Sequence, residues 1–245
     1  MSNHNRNIDF FVVGAQKCAT TWIHHCLNEH PKIFMGAGKR ETHYLGGKLH
    51  LQKGDDWFWN LFSEAEEGQL VGSASVDYII DEEALKKTIS HNENAKYILS
   101  IRKPTERLLS AAFWLMRNQS FAAEDVNKLI EKILQEYHST GNTSKYDMII
   151  ERGEYGRLLE RLFKVVPQER IRIIEFEEIG NNASRVLEGL YTFIGVQNDF
   201  KPPSTARKPK ANTYNSFLLK IDQQIPRNSL AKKILNRLGA VYYPQ

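Results

Sequence analysis

The run from Phe10 to Leu27, FFVVGAQKCATTWIHHCL, most constrains what this chain can fold into. It opens with four apolar residues, Phe10-Phe11-Val12-Val13, which read as a short buried strand. The pattern breaks at Gly14-Ala15-Gln16-Lys17. It resumes at helical spacing from about Ala19, with Trp22, Ile23, Cys26 and Leu27 on one face. A strand, a tight turn and a helix start carrying one lysine and two threonines thus follow one another. The N–H groups and positive dipole end of such a helix suit an anion, a phosphate above all. Lys17 adds a full charge, and Thr20 and Thr21 add hydroxyl donors. The competing reading is an ordinary strand-to-helix turn with a solvated lysine. The strand before, the helix after and the paired threonines together favour the anion site.

The P-loop pattern Gly-x-x-x-x-Gly-Lys-Ser/Thr is not met: Cys18 and Ala19 follow Lys17, and no second glycine precedes it. The stretch instead resembles the 5′-phosphosulfate loop of sulfotransferases that use 3′-phosphoadenosine 5′-phosphosulfate (PAPS). The likeness is greatest to the branch containing heparan sulfate sulfotransferases and many bacterial enzymes. It implies a strand–loop–helix geometry shared with nucleotide kinases. It also implies that Gln16, Lys17, Cys18, Ala19, Thr20, Thr21 and Trp22 bind the donor, with Lys17 taking part in the chemistry.

A second signal lies further on. Lys96-Tyr97-Ile98-Leu99-Ser100-Ile101 reads as a buried strand, ending in Arg102-Lys103-Pro104 and an amphipathic helix from Thr105 to about Arg117. Arg102 at a strand end and Ser110 two helical turns on suit a phosphate, since arginine offers a bidentate fork. The segment resembles the family's 3′-phosphate motif, Arg-Asp-Pro…Glu-Arg…Ser. Arg102, Pro104, Glu106, Arg107 and Ser110 match it, and Lys103 replaces the aspartate. Arg107 reads equally as a surface charge. A phosphoryl-transferring P-loop enzyme needs an acid after such a strand to hold magnesium. Here Arg102-Lys103 stands in that place, so no metal is expected.

Between these signals, Lys32 to Met35 and Leu70-Val71-Gly72 read as strands, and Asp81 to Ser90 as a helix capped by Asp81. The polar loop Arg40-Glu41-Thr42-His43-Tyr44 resembles the family motif Lys-Glu-x-His-Phe-Phe. The resemblance implies Glu41 as the general base, with His43 as the alternative; a carboxylate lifted by burial suits the task. Trp57, Phe58, Leu61 and Phe62 share a helical face and read as core. Ser73 to Tyr78 loosely resembles a segment that faces the acceptor in the family. Later come a helix over Gly153 to Phe163, a strand over Arg170 to Glu175, and a helix from Ala183 to Ile194 capped by Gly195. The first of these resembles the family's Gly-x-Tyr-x-x-x-Leu segment, which implies Tyr155 near the nucleotide; a packed tyrosine is the competing reading.

From Lys201 to Arg237 there are nine basic residues and one acid, Asp222. In the family a basic loop here folds over the 3′-phosphate, which brings in Arg207 and Lys210. A net charge of +4 over 245 residues favours an anionic ligand without demanding nucleic acid. No apolar run reaches membrane-spanning length. Cys18 and Cys26, too poorly placed to pair, suit a reducing compartment.

The expectation is one sulfotransferase domain over 1–245, with its core at 9–195 and the basic loop and terminal helices at 196–245. The fold expected is α/β and three-layered, a parallel sheet of four to five strands with helices on both faces. The activity expected is transfer of a sulfuryl group from PAPS to a hydroxyl, or an amine, of a small-molecule acceptor, releasing adenosine 3′,5′-bisphosphate. The setting expected is cytoplasmic, with neither nucleic acid nor membrane as partner. The alternatives are a glycan sulfotransferase, a nucleotide or small-molecule kinase, and a non-catalytic anion-binding module.

Overall fold

A computed structural model describes residues 7–36, 45, 47–118 and 125–207. In chain order the elements are β1 (Phe10–Gly14), α1 (Thr20–Asn28), β2 (Ile33–Phe34), α2 (Lys48–Lys53), α3 (Asp55–Asn60), β3 (Leu70–Ala74), α4 (Glu82–His91), β4 (Lys96–Ile101), α5 (Pro104–Asn118), α6 (Val126–Thr140), α7 (Tyr155–Val165), β5 (Ile171–Glu175) and α8 (Phe176–Ile194). The five strands form one sheet in the order β2-β3-β1-β4-β5, and every neighbouring pair is parallel.

β1 lies at the centre and is buried along its whole length. Its alternation splits the core in two. Phe11 and Val13 join Phe58, Leu85, Leu158 and Leu162 on the face covered by α3, α4 and α7. Phe10 and Val12 join Ile23, Leu27, Leu187 and Leu190 on the face covered by α1 and α8. Buried on both sides, such strands read as continuous apolar runs. This is the three-layer α/β arrangement expected from the sequence.

Helix ends follow local chemistry. The Asp81 carboxylate accepts the Ala84 N–H at 3.0 Å and so starts α4. α8 breaks at Asn182, whose side chain accepts the Arg185 N–H at 3.1 Å, so a fresh helical run begins where the sequence predicts one. It ends at Gly195, with φ +96°.

The described residues form two compact units. One holds the sheet and its flanking helices, residues 7–102 and 154–207. The other is the helical stretch within residues 103–153. It has its own core, in which Ala111, Ala112, Leu115 and Met116 of α5 meet Leu129 and Ile133 of α6 together with Ile149. Arg107 is buried in this unit, 1% exposed, and donates to the Ile149 carbonyl. That contact makes Arg107 a structural residue rather than a surface charge. Beside it, the Thr143 N–H and hydroxyl donate to the Glu151 carboxylate.

One close approach in the sheet requires a glycine. A Cβ on Gly72 would land in the Phe10 ring and 2.6 Å from the Met35 sulfur. Gly72→Ala should therefore lower stability by about 1–3 kcal/mol through overpacking. Thermal unfolding checks this, and an unchanged midpoint would contradict the packing described.

Candidate functional site

Strand register alone assembles one edge of the sheet. Gly14 pairs with Leu99, and the Ala15 N–H donates to the Ser100 carbonyl at 2.7 Å. Ile101 pairs with Glu175. The next residues along each strand are the loop after β1, Arg102 after β4 and Phe176 after β5. Neighbouring strands lie about 4.8 Å apart, so these three stand in a row at the carboxyl edge. Ligands of open parallel sheets sit at that edge.

The loop is held in an uncommon backbone conformation. Lys17 has φ +66° and Ala19 φ +65°, both left-handed. For residues other than glycine this costs about 1–3 kcal/mol each, and such strain clusters at functional sites. α1 then starts with no side-chain cap and no acid in its first turn. By contrast α3 starts with Asp55 and Asp56, α4 with Glu82 and Glu83, and α8 has Glu177 and Glu178. α7 shares the lack of both, but at α1 the bare positive end follows a loop carrying Lys17, a combination that suits an anion. Thr20 is buried there, and Lys17 and Thr21 are half-buried. The Ser100 hydroxyl, fully buried beneath the loop, has no hydrogen-bond partner among the described residues. The donor set of Lys17, Thr20, Thr21 and the helix start fits a phosphate-type group.

Arg102 is 8% exposed, and its guanidinium lies over the Phe176 ring, 4.3 Å from the centroid. Such cation–π contacts contribute about 0.5–2 kcal/mol and fix the plane of the fork. The Arg102 N–H donates to the Tyr155 hydroxyl oxygen at 3.3 Å. The same oxygen lies 3.4 Å from the Cys18 sulfur, and the Cys18 thiol is 3.5 Å from the Gln16 carbonyl. With the thiol proton directed at Gln16, the tyrosine donates to sulfur. One hydroxyl therefore ties the anion loop to the strand end that carries Arg102.

The Trp22 indole N–H donates to the Ser204 carbonyl at 3.0 Å, so this side chain anchors a later segment of the chain. Ser110 lies half-buried on α5, in the helical unit. Arg207 is exposed, and its N–H donates to the Ser204 carbonyl at 3.0 Å. Glu41, His43 and Lys210 lie outside the described residues. Tyr78, in the segment resembling an acceptor-facing motif, is a core residue. Its hydroxyl pairs with Ser73 at 2.9 Å and accepts the Leu45 N–H, and burial pushes its pKa up to about 12.

Phe176 emerges only with the structure: it is the platform under Arg102, and its signal was its place directly after the strand next to β4. Tyr155, which the sequence offers as a nucleotide neighbour or a packed tyrosine, bridges two distant turns, and nothing local in the sequence specifies the target of its hydroxyl.

Residues 7–217 match the sulfotransferase domain family. The chain belongs to the sulfotransferase family. Over 119 residues it is 31% identical to the membrane-associated sulfotransferase kil1 of Dictyostelium discoideum, covering 46% of this chain and 25% of that protein. Over 168 residues it is 23% identical to heparan sulfate glucosamine 3-O-sulfotransferase 5 of Mus musculus, covering 69% and 47%. The chain thus spans between a quarter and about half of these relatives. Its fold matches a crystal structure of a sulfotransferase from Alicyclobacillus acidocaldarius with a TM-score of 0.68, at 21% identity over 96% of each chain. The sulfotransferase fold expected from the two motifs is the fold observed.

The Tyr155 bridge makes a prediction independent of any substrate. Tyr155→Phe keeps the ring and removes the hydroxyl, so the loop should open more often and expose Cys18. Native-state alkylation of Cys18 should then run about three- to tenfold faster, the equivalent of one lost hydrogen bond. Equal rates in the two proteins would contradict a latch.

Proposed function

We propose that this sulfotransferase-family chain moves a sulfuryl group from PAPS to a hydroxyl of a small-molecule acceptor. The observation that carries this reading is the juxtaposition of the uncapped, acid-free start of α1 with Arg102 on the adjacent strand. A donor with a phosphosulfate at one end and a 3′-phosphate at the other needs two separated cationic grips. In this reading the acceptor oxygen attacks sulfur in line, and the bond from sulfur to the 5′-phosphate oxygen breaks. Lys17 and the N-terminal end of α1 stabilise the charge that gathers on the departing phosphate. Thr20 and Thr21 orient it. Glu41 takes the acceptor's proton, with His43 as the alternative base. Arg102 and the basic segment from Arg207 to Lys210 select the donor by its 3′-phosphate.

The free thiols of Cys18 and Cys26 support a reducing, cytoplasmic setting, and with it a soluble small-molecule acceptor. Among the described residues no helix is long and apolar enough to cross a membrane. The relative named for heparan sulfate glucosamine favours a second reading, in which the acceptor is a glycan hydroxyl.

Incubation with sulfur-labelled PAPS, a cell extract and, in parallel, heparan sulfate separates these outcomes. Label on a low-mass product supports the first reading, and label on the polysaccharide supports the second. Magnesium-dependent transfer from ATP with no sulfation would overturn both. Lys17→Ala should lower kcat by about 10²–10³, the usual loss for one transition-state donor. Arg102→Ala should act chiefly on the donor KM, and an unchanged donor KM would remove Arg102 from the site. Glu41→Gln should abolish turnover while leaving donor binding intact; near-normal turnover would pass the role of base to His43.

A further inference from the structure

The flank of α1 holds a second contact set that the transfer chemistry leaves unused. Trp22 and Glu29 lie seven residues apart on α1 and at its end, about two turns, and so face the same way. Both reach Ser204, which sits in the short turn Pro203–Ala206 and is 6% exposed. The Trp22 indole donates to the Ser204 carbonyl at 3.0 Å. The Glu29 carboxylate accepts the Ser204 N–H at 2.8 Å and its hydroxyl at 2.6 Å. These two bonds involve a charged acceptor, the stronger kind. One residue beyond α1's C-cap, the His30 ring meets the Gln197 carbonyl at 3.0 Å and packs against Tyr191 and Phe200. The segment over residues 197–204 is therefore bound to α1 at several points along its length.

The consequence falls on Arg207. Its N–H donates to the Ser204 carbonyl at 3.0 Å, the same oxygen that takes the Trp22 indole. Trp22 directly follows Thr20 and Thr21. A single carbonyl thus joins the helix that starts at the anion loop to a residue of the basic stretch. Simple coverage of an apolar flank needs no carboxylate that takes both polar hydrogens of one serine.

We infer that the Glu29–Ser204–Trp22 clamp is a positioning device that fixes Arg207 relative to the anion loop, so that both ends of the donor are referenced to one rigid helix. This inference rests on the donor reading proposed above. Glu29 and Ser204 touch no substrate in it; they act through Arg207.

The test is titration with adenosine 3′,5′-bisphosphate of the wild-type chain, Glu29→Gln, Ser204→Ala, Arg207→Ala and the two doubles with Arg207→Ala. Unfolding midpoints are measured on the same samples. Glu29→Gln and Ser204→Ala should each weaken binding about three- to tenfold, the loss of roughly one hydrogen bond. In steady state they should raise the donor KM and leave kcat at saturating donor in place. In the Arg207→Ala background that weakening should vanish, because the residue being positioned is gone. Wild-type affinity in both single variants, or a penalty of the same size with and without Arg207, would overturn the positioning role. A wild-type chain that fails to bind the bisphosphate overturns the donor reading itself and is distinguishable from either result.

Discussion

Parallel pairing of β1 with β4, and of β4 with β5, is the constraint on which the rest depends. The Ala15 N–H on the Ser100 carbonyl closes that pairing at its carboxyl end. It determines where the loop leaves the sheet, and the register of β4 with β5 determines where Arg102 and Phe176 leave it. A one-residue slip would turn every side chain on a strand to the opposite face. Phe10 and Phe11, buried in opposite cores, make such a slip costly. The hydrophobic layers thus hold the register, and the register assembles the site.

Electrostatics and strain point the same way. Among the helices flanking the sheet, α3, α4 and α8 carry acids in their first turns, as stability favours, and α7 does not. α1 carries none, and it is entered through two left-handed residues that are not glycine. A chain selected for stability alone would relax both features. Their coincidence at the edge where Arg102 lies buried on an aromatic ring suits an anionic ligand.

Much of this was legible in the sequence because it depends on local pattern. Short apolar runs gave β1, β3 and β4, the strands read at Lys32 to Met35 and Arg170 to Glu175 hold β2 and β5, and Asp81 and Gly195 marked helix ends where the structure has them. The strand–turn–helix order around Lys17 and the strand end at Arg102 were equally local. What escaped was set by tertiary partners. Trp22 follows the paired threonines and reads as part of the anion site, yet its N–H is drawn off to Ser204, 182 positions away. Tyr155 bonds back to Cys18 across 137 positions. Arg107 matches a phosphate motif but is taken up by a carbonyl of its own helical unit. In each case the side chain's type was visible and the group it would meet was not.

The central claim is that two turns on adjacent strands grip one doubly phosphorylated adenosine. A crystal structure of the chain with adenosine 3′,5′-bisphosphate tests it most directly. The account predicts the 5′-phosphate against the start of α1, within hydrogen-bond reach of Lys17, Thr20 and Thr21, and the 3′-phosphate on the Arg102 guanidinium. A nucleotide bound away from both turns, or one whose two phosphates leave Arg102 stacked on Phe176 and untouched, would contradict it.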